Sequence, residues 1–362
     1  MIDERLASWA LSGIDGIGPA AFLRLIENFG SAAAVFSASS EKLVSSEAVN
    51  RNLAEKIAST GNWEKLSEKF RKTIPSGARI MALTEQAYPS KLKNIPDPPP
   101  ILYYEGDIAI FERPTLAVVG SRRPTDYGLR LTSRIVGELA GAGVVIISGL
   151  AYGIDGTAHQ AALEARGLTA AIFGCGLDII YPSGHKALAQ RIIQSGCLVS
   201  EFPGGTRPER FNFPVRNRVV AGLSDGVMVV EAGPKSGALV TARLALDQGR
   251  DVLAIPGAVD SEQSYGPNAL IKQGAVAVTS AQDIFDNFGW HRATAAREPG
   301  YDLSKLSRDE TAVFQILSVQ PMHVDEIGRK SGFGPGKTAE ALLNLELKGF
   351  IMRKPGNFVV KA

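Results

Sequence analysis

The 362-residue chain predicts an α/β protein: a parallel sheet covered by helices on both faces, preceded by a small helical domain and followed by a winged-helix domain. Three observations carry that expectation. From about residue 101 to 288, short β-branched apolar runs alternate with helix-length amphipathic segments, the pattern of strands buried on both sides. Residues 1–72 show apolar positions at helical spacing only. After a polar stretch at 289–303, residues 304–362 restart with three helical segments and a terminal hairpin.

The elements follow in order. Leu6–Leu11, Phe22–Phe29 and Leu53–Phe70 carry the apolar faces of the first domain. Within it, Gly16-Ile17-Gly18-Pro19 enters a helix, either as a plain turn between packed helices or as a helix-hairpin-helix cradle for a phosphate. A Pro-rich strip, Pro89 to Pro100, leads into the α/β domain, which spans 73–288. Strand-like runs are Leu116–Gly120, Val144–Gly149, Thr169–Gly174, Cys197–Glu201, Val227–Glu231, Val252–Pro256 and Val276–Thr279. Helices are expected at Tyr127–Ala140, Gly156–Arg166, His185–Gln194, Val215–Leu223 and Ala238–Gln248. The 289–303 stretch has no apolar periodicity and reads as a linker. Beyond it come helices at Asp309–Leu317, Val324–Ser331 and Lys337–Lys348, then a hairpin of Phe350–Arg353 and Phe358–Val360. Nine basic against six acidic residues from Ser304 to Ala362 leave duplex DNA and protein equally open as partners of the winged domain.

Bulk properties set the outer limits. An apolar content of 45% with 21% charged residues describes an ordinary globular chain, and a net charge of +2 neither requires nor excludes a nucleic-acid partner. Cys175 and Cys197, the only cysteines, exclude a disulfide framework and a Cys-rich zinc site. No apolar run reaches the ~18 residues of a membrane span, and Met1–Ala10 has no signal-peptide pattern, so a cytoplasmic protein without membrane contact is expected.

Ligands of such sheets bind at the carboxyl ends of the strands. Four strand ends here carry unusual chemistry: Gly120-Ser121-Arg122-Arg123, the run from Ser148-Gly149 to Asp155, Gly174-Cys175-Gly176, and the run from Glu231 to Lys235-Ser236-Gly237. Glycine loops with a hydroxyl and a cation beside a helix N-terminus suit phosphate. Between Glu201 and Ser224, Arg207, Arg210, Arg216 and Arg218 stand among Phe202, Phe211 and Phe213. Arginine forks match phosphate oxygens, and aromatic rings offer faces to unpaired bases.

Several classes fail. Gly174-Cys175-Gly176 has Ile179 in the third glycine position of a dinucleotide fingerprint, and no acidic residue closes the unit. Gly334-Pro335-Gly336-Lys337-Thr338 follows a helix and lacks the first Walker A glycine, so it reads as a turn capping a helix. No catalytic residue, metal or cofactor is expected. Asp155 reads as a helix cap, and paired with His159 it lacks further metal ligands nearby. Glu201 and Glu231 could act as a general acid or base, but the arginines around them favour a positioning role.

The strings GSRR, SGLAYGID, YPSGH, SEFPGG, FNFPVRNRVVAGLS, VVEAGPKSGALVTA and AIPGAVDSEQSYGPNALIKQGA, in that order over residues 115–275, resemble the DNA-processing protein A family, DprA or Smf. The resemblance implies an extended Rossmann fold that binds single-stranded DNA, protects incoming strands and loads the RecA recombinase on them during natural transformation. It also implies a homodimer formed through the Rossmann domain. It maps the DNA pocket onto Gly120, Ser121, Arg122, Ser148, Gly149, Phe213, Arg216, Asn217, Arg218, Lys235, Ser236 and Gly237. To these the residue reading adds Arg123 and Phe211. His185 stands where the family usually has Asn, which affects the local turn. Two rival readings remain: a Rossmann-fold nucleoside monophosphate phosphoribohydrolase, faintly suggested by Pro203-Gly204-Gly205-Thr206, and a protein-interaction scaffold.

Overall fold

The computed structural model describes residues 2–290, 306–317, 322–348, 350–354 and 356–361. It forms two compact units, Met1–Thr294 and Ala295–Ala362. The first is built on nine strands: β1 (Arg79–Ala82), β2 (Ile101–Gly106), β3 (Thr115–Val119), β4 (Val145–Ser148), β5 (Thr169–Phe173), β6 (Gly196–Ser200), β7 (Gly226–Val229), β8 (Asp251–Ala254) and β9 (Val276–Ala277). Their order is β1-β2-β6-β5-β4-β3-β7-β8-β9. From β6 to β9 every pairing is parallel, as the alternation with helices requires.

Successive side chains of a strand face opposite sides, and the core splits accordingly. Leu116 and Val118 pack with Ile135 and Leu139 of the helix Asp126–Gly141, together with Ala158 and Phe285. Ala117 and Val119 pack with Val219 and Val220 of the helix Asn212–Gly222 and with Ala242 and Ala245 of the helix Gly237–Asp247. Both faces are dry, which explains the near-continuous apolar runs in the sequence.

Three features depart from the expectation. β1 and β2 extend the sheet antiparallel, with Tyr103 opposite Ser200 and Ile80 opposite Tyr103, so the sheet is mixed at one edge. Pro89 to Pro100 separates the two strands and masks their pairing in the sequence, because each run is short and the connection between them is irregular. The first 72 residues also do not form a compact unit of their own. Leu11, Phe22 and Leu25 belong to the same continuous core as Leu102 and Val199, so the helices cover the sheet rather than standing apart from it. Here Gly18 ends the turn before the helix Pro19–Phe29, and Ile17 is buried, as a packed turn between helices demands. Third, the structure adds two helices to the expected elements, Tyr265–Lys272 and Ala281–Phe288.

The second unit contains the helices Arg308–Ile316, Val324–Ser331 and Pro335–Leu347, with β10 (Met322–His323), β11 (Ile351–Lys354) and β12 (Phe358–Lys361) in the order β10-β12-β11. Gly334 is the N-cap of the third helix and Pro335 its first residue, the position where a missing N–H costs nothing. The resemblance to a Walker motif is therefore a helix start. Of the expected linker, Gly289 ends the preceding helix in a left-handed conformation and Trp290 stacks on Phe288 at 4.4 Å. The rest of 289–303 lies outside the described residues.

Candidate nucleic-acid interface

The strand order reverses beside β3: β4, β5 and β6 run to one side, β7, β8 and β9 to the other. Connections leaving β3 and β7 therefore diverge and open a crevice at the carboxyl edge. An open cleft of about 1290 Å³ lies there. Gly120, Ser121 and Arg122 wall one side, Gly149 lies on its floor, and Phe213, Arg216 and Asn217 come from the helix Asn212–Gly222. Lys235, Ser236 and Gly237 close the far wall.

Close approach explains the glycines. A Cβ on Gly120 would lie 2.6 Å from Ile154, and one on Gly149 would meet the Arg216 guanidinium at 2.5 Å. Arg216 lies flat over Gly149, only 6% exposed. Its Nη1 donates to the carbonyls of Gly149, at 2.9 Å, and of Ile172, and its Nε donates to Asn217 Oδ1 at 3.1 Å. Nη2 has no protein acceptor among the described residues. Burial pulls the Arg216 pKa down while nearby Asp155 supports its charge, so the cation is held by the fold and still faces the cleft.

Asp155 does not cap its helix as expected. That helix, Ile154–Glu164, has Gly153 as its N-cap. The Asp155 carboxylate instead accepts from Gly149 N at 3.1 Å and Ala151 N at 3.4 Å, fixing the loop that forms the cleft floor. Burial raises its pKa, and Arg216 opposes that rise. Glu231 also departs from its expected pairing with an arginine. It accepts from the backbone N–H and hydroxyl of Thr125, the N-cap of Asp126–Gly141. By contrast, neither Asn212–Gly222 nor Gly237–Asp247 has an acid in its first turn. Both N-termini border the cleft, where their positive dipole ends favour an anion.

Phe213 is the aromatic centre. Arg122 and Arg216 approach its ring at 5.6 and 5.9 Å, and Tyr181 packs against it at 5.8 Å and 35°. The structure thus gathers Gly120, Ser121, Arg122, Gly149, Phe213, Arg216, Asn217, Lys235, Ser236 and Gly237 in one cleft. The other four expected residues stand elsewhere. Ser148 is buried and donates to Val118 O at 2.6 Å, so it supports the floor from below. Arg123 is exposed beyond the lining, its N–H donating to Ser121 Oγ at 3.1 Å. Phe211, 67% exposed, also lies outside the lining.

Arg218 requires a correction. It points away from the cleft, its Nη2 paired with Glu201 and its Nε 3.2 Å from Asp97. Two residues along a helix is a rotation of about 200°, so Arg216 and Arg218 cannot serve the same surface. Conversely, the lining includes Arg210, Tyr181, Glu262 and Gln263, which the expected site omitted. Arg210 had a signal in its arginine–phenylalanine stretch; Tyr181, Glu262 and Gln263 are brought in by loops from distant strands.

His159 is fully buried, its Nδ1 2.7 Å from Thr169 Oγ1, and burial lowers its pKa to about 3, which makes it a neutral core residue. Among the described residues no group of three or more His, Cys, Asp or Glu side chains is placed to hold a metal. His185 makes its turn by bonding Leu150 O through Nδ1 at 2.9 Å. The Pro203–Thr206 loop is occupied structurally: Gly205 N–H donates to Asp178 and Thr206 O accepts from Gly176 N.

Fold and cleft together define a doubly wound α/β protein with an anion-suited crevice at its switch point, followed by a winged-helix unit. Residues 79–289 match the family described as DNA recombination-mediator protein A, and residues 296–357 match the DprA winged helix domain. The chain belongs to this DNA-processing protein A family. It is 42% identical to the protein Smf of Escherichia coli over 77% of this chain and 76% of that one. With the DNA processing protein DprA of Bacillus subtilis it shares 42% identity, over 58% of this chain and 71% of the relative. The X-ray structure of DprA from Streptococcus pneumoniae superposes with a TM-score of 0.70 at 33% identity, covering 80% of this chain and all of that one. A Helicobacter pylori structure, described as showing a single-stranded DNA binding mode of DNA processing protein A, gives a TM-score of 0.53 at 33% identity over 58% of this chain and 95% of that one.

Proposed function

We propose that this protein binds single-stranded DNA in the carboxyl-edge cleft, without catalysing a reaction on it, and serves DNA processing in transformation. The observation that carries the reading is the Phe213 ring between Arg122, Arg216 and Tyr181, flanked by two helix N-termini free of acids. A stacking face beside paired cations suits unpaired bases joined by phosphates better than a duplex, whose bases are stacked on each other. The Helicobacter pylori relative, described in terms of single-stranded DNA, supports the same ligand here.

The non-catalytic part rests on the carboxylates. Asp155 and Glu231 are spent on backbone amides and Thr125, and Glu201 on Arg218 away from the cleft. A phosphoribohydrolase would need a carboxylate as its base, and Glu262 is the cleft-lining carboxylate left for that role, which incubation with AMP tests. We extend the proposal to the role implied by the family: a cytoplasmic homodimer, paired through the sheet domain, that shields incoming strands and passes them to RecA. Among the described residues no helix is long and apolar enough to cross a membrane.

Gel-shift titration with single-stranded and duplex DNA of equal length tests the ligand. Single strands are expected to bind more tightly, and Phe213→Ala is expected to weaken them by about 1–3 kcal/mol. Tighter duplex binding would overturn the assignment, and release of free adenine from AMP would favour the hydrolase.

A further inference from the structure

Beyond Phe213, two more aromatic rings stand on the same rim of the cleft. Tyr181 lines the cleft, packs on Phe213 and is still 45% exposed. Tyr152 follows Ala151, itself a lining residue, and is 52% exposed. Large exposed rings are costly in water and invite a partner. The segment from Tyr181 to His185 joins the two stations. A Cβ on Gly184 would lie 2.8 Å from the Tyr152 hydroxyl, and the His185 ring meets the Tyr152 ring edge-on at 4.9 Å.

The Tyr152 platform is held rigidly. Leu150, buried, takes a left-handed φ of 58° and Gly153 a φ of 79°, which turn the Tyr152 side chain out of the core. Asp155 ties down the N–H groups of Gly149 and Ala151, and His185 Nδ1 donates to the Leu150 carbonyl. A ring fixed before binding loses little entropy when a base stacks on it.

We propose that the bound strand does not end at Phe213 but continues over Tyr181 and then Tyr152, each ring taking one further unpaired base. This rests on the single-stranded DNA reading and extends the site beyond the cleft. It makes Tyr152 a determinant of how many nucleotides one protein covers.

The test is a length series of oligothymidylates, roughly 4 to 16 nucleotides, titrated against the full chain and against Tyr152→Ala, Tyr152→Phe and Arg122→Ala. Tyr152→Ala is expected to match the wild type on the shortest oligomers and to bind the longest on the order of 10-fold more weakly. Tyr152→Phe, which keeps the ring, should behave as the wild type at every length. Replacing the bases at one end of the long oligomer by abasic sugars should cost the wild type the same factor and Tyr152→Ala nothing. Equal affinity of Tyr152→Ala and wild type at all lengths, or an equal loss at all lengths, would overturn the extended track. In both cases an Arg122→Ala loss at every length would leave the cleft reading standing. A wild type that binds no oligomer sinks both.

Discussion

Arg216 and Arg218 sit two residues apart on one helix and do different work. Arg216 lies over Gly149, its Nη1 held by the carbonyls of Gly149 and Ile172 with Asp155 nearby, and lines the open cleft. Arg218 lies on the opposite face, where Glu201 and Asp97 neutralise it and Tyr88 is buried alongside. A guanidinium whose hydrogen bonds go to carbonyls, with its carboxylate neighbour engaged by backbone N–H groups, keeps a donor edge for a ligand. One that meets carboxylates has its charge cancelled and becomes part of the scaffold. The difference lies in the partners' chemistry, which is a property of the strands behind each face of the helix.

Three measurements would break or sharpen that comparison. The largest effect is expected from Arg218→Ala measured above pH 7, where Glu201 is ionised in the fold: the variant leaves that carboxylate buried without its cation and should cost about 3–5 kcal/mol of stability. Melting temperature should drop while the dependence of DNA affinity on salt is unchanged. A changed salt slope with an unchanged melting temperature would move Arg218 to the DNA surface.

The second effect is pH-dependent. Burial, opposed by Arg218, raises the Glu201 pKa from 4.5 to about 7. A folded-state value above the unfolded one favours the protonated form in the fold. Glu201 thus contributes stability fully below pH 4.5, and that contribution is lost as pH rises through 7. Relative to Glu201→Gln, the wild type should lose about 3 kcal/mol between those limits, at 1.36 kcal/mol per pKa unit. Chemical denaturation of both proteins at pH 4.5 and 8 reads it. A wild type that gains stability with pH relative to Glu201→Gln would mean that the Arg218 pairing outweighs burial.

The smallest effect belongs to the cleft. Arg122→Ala should flatten the slope of log affinity against log salt by about 0.7, the single-strand increment for one phosphate. The loss should be similar for all base sequences, and melting temperature should be unaffected. Arg122→Lys should recover part of the affinity, because a point charge replaces a fork. A fall in melting temperature without a change of slope would make Arg122 a scaffold residue like Arg218.

The sheet from β3 to β9 was legible because strands buried on both faces write uninterrupted apolar runs, and the glycine loops at their ends stand out against those runs. β1 and β2 were not, since each run is short and the irregular Pro89 to Pro100 connection hides that they pair. The change of pattern near residue 72 does not separate two cores, because a helical face looks the same whether it packs on other helices or on a sheet.

The sequence by itself determined the class of chemistry at the cleft. Gly120, Ser121, Arg122, Lys235, Ser236 and Gly237 stand at strand ends, and chain connectivity alone brings strand ends of a parallel sheet to one edge. Only the tertiary structure decided which arginine faces a ligand, that Asp155 braces a loop and Glu231 a threonine cap, and that Tyr181 joins Phe213. Each of those outcomes depends on the direction of a side chain relative to neighbours far away in sequence. A helix turn of about 100° per residue fixes that direction only after the helix has docked.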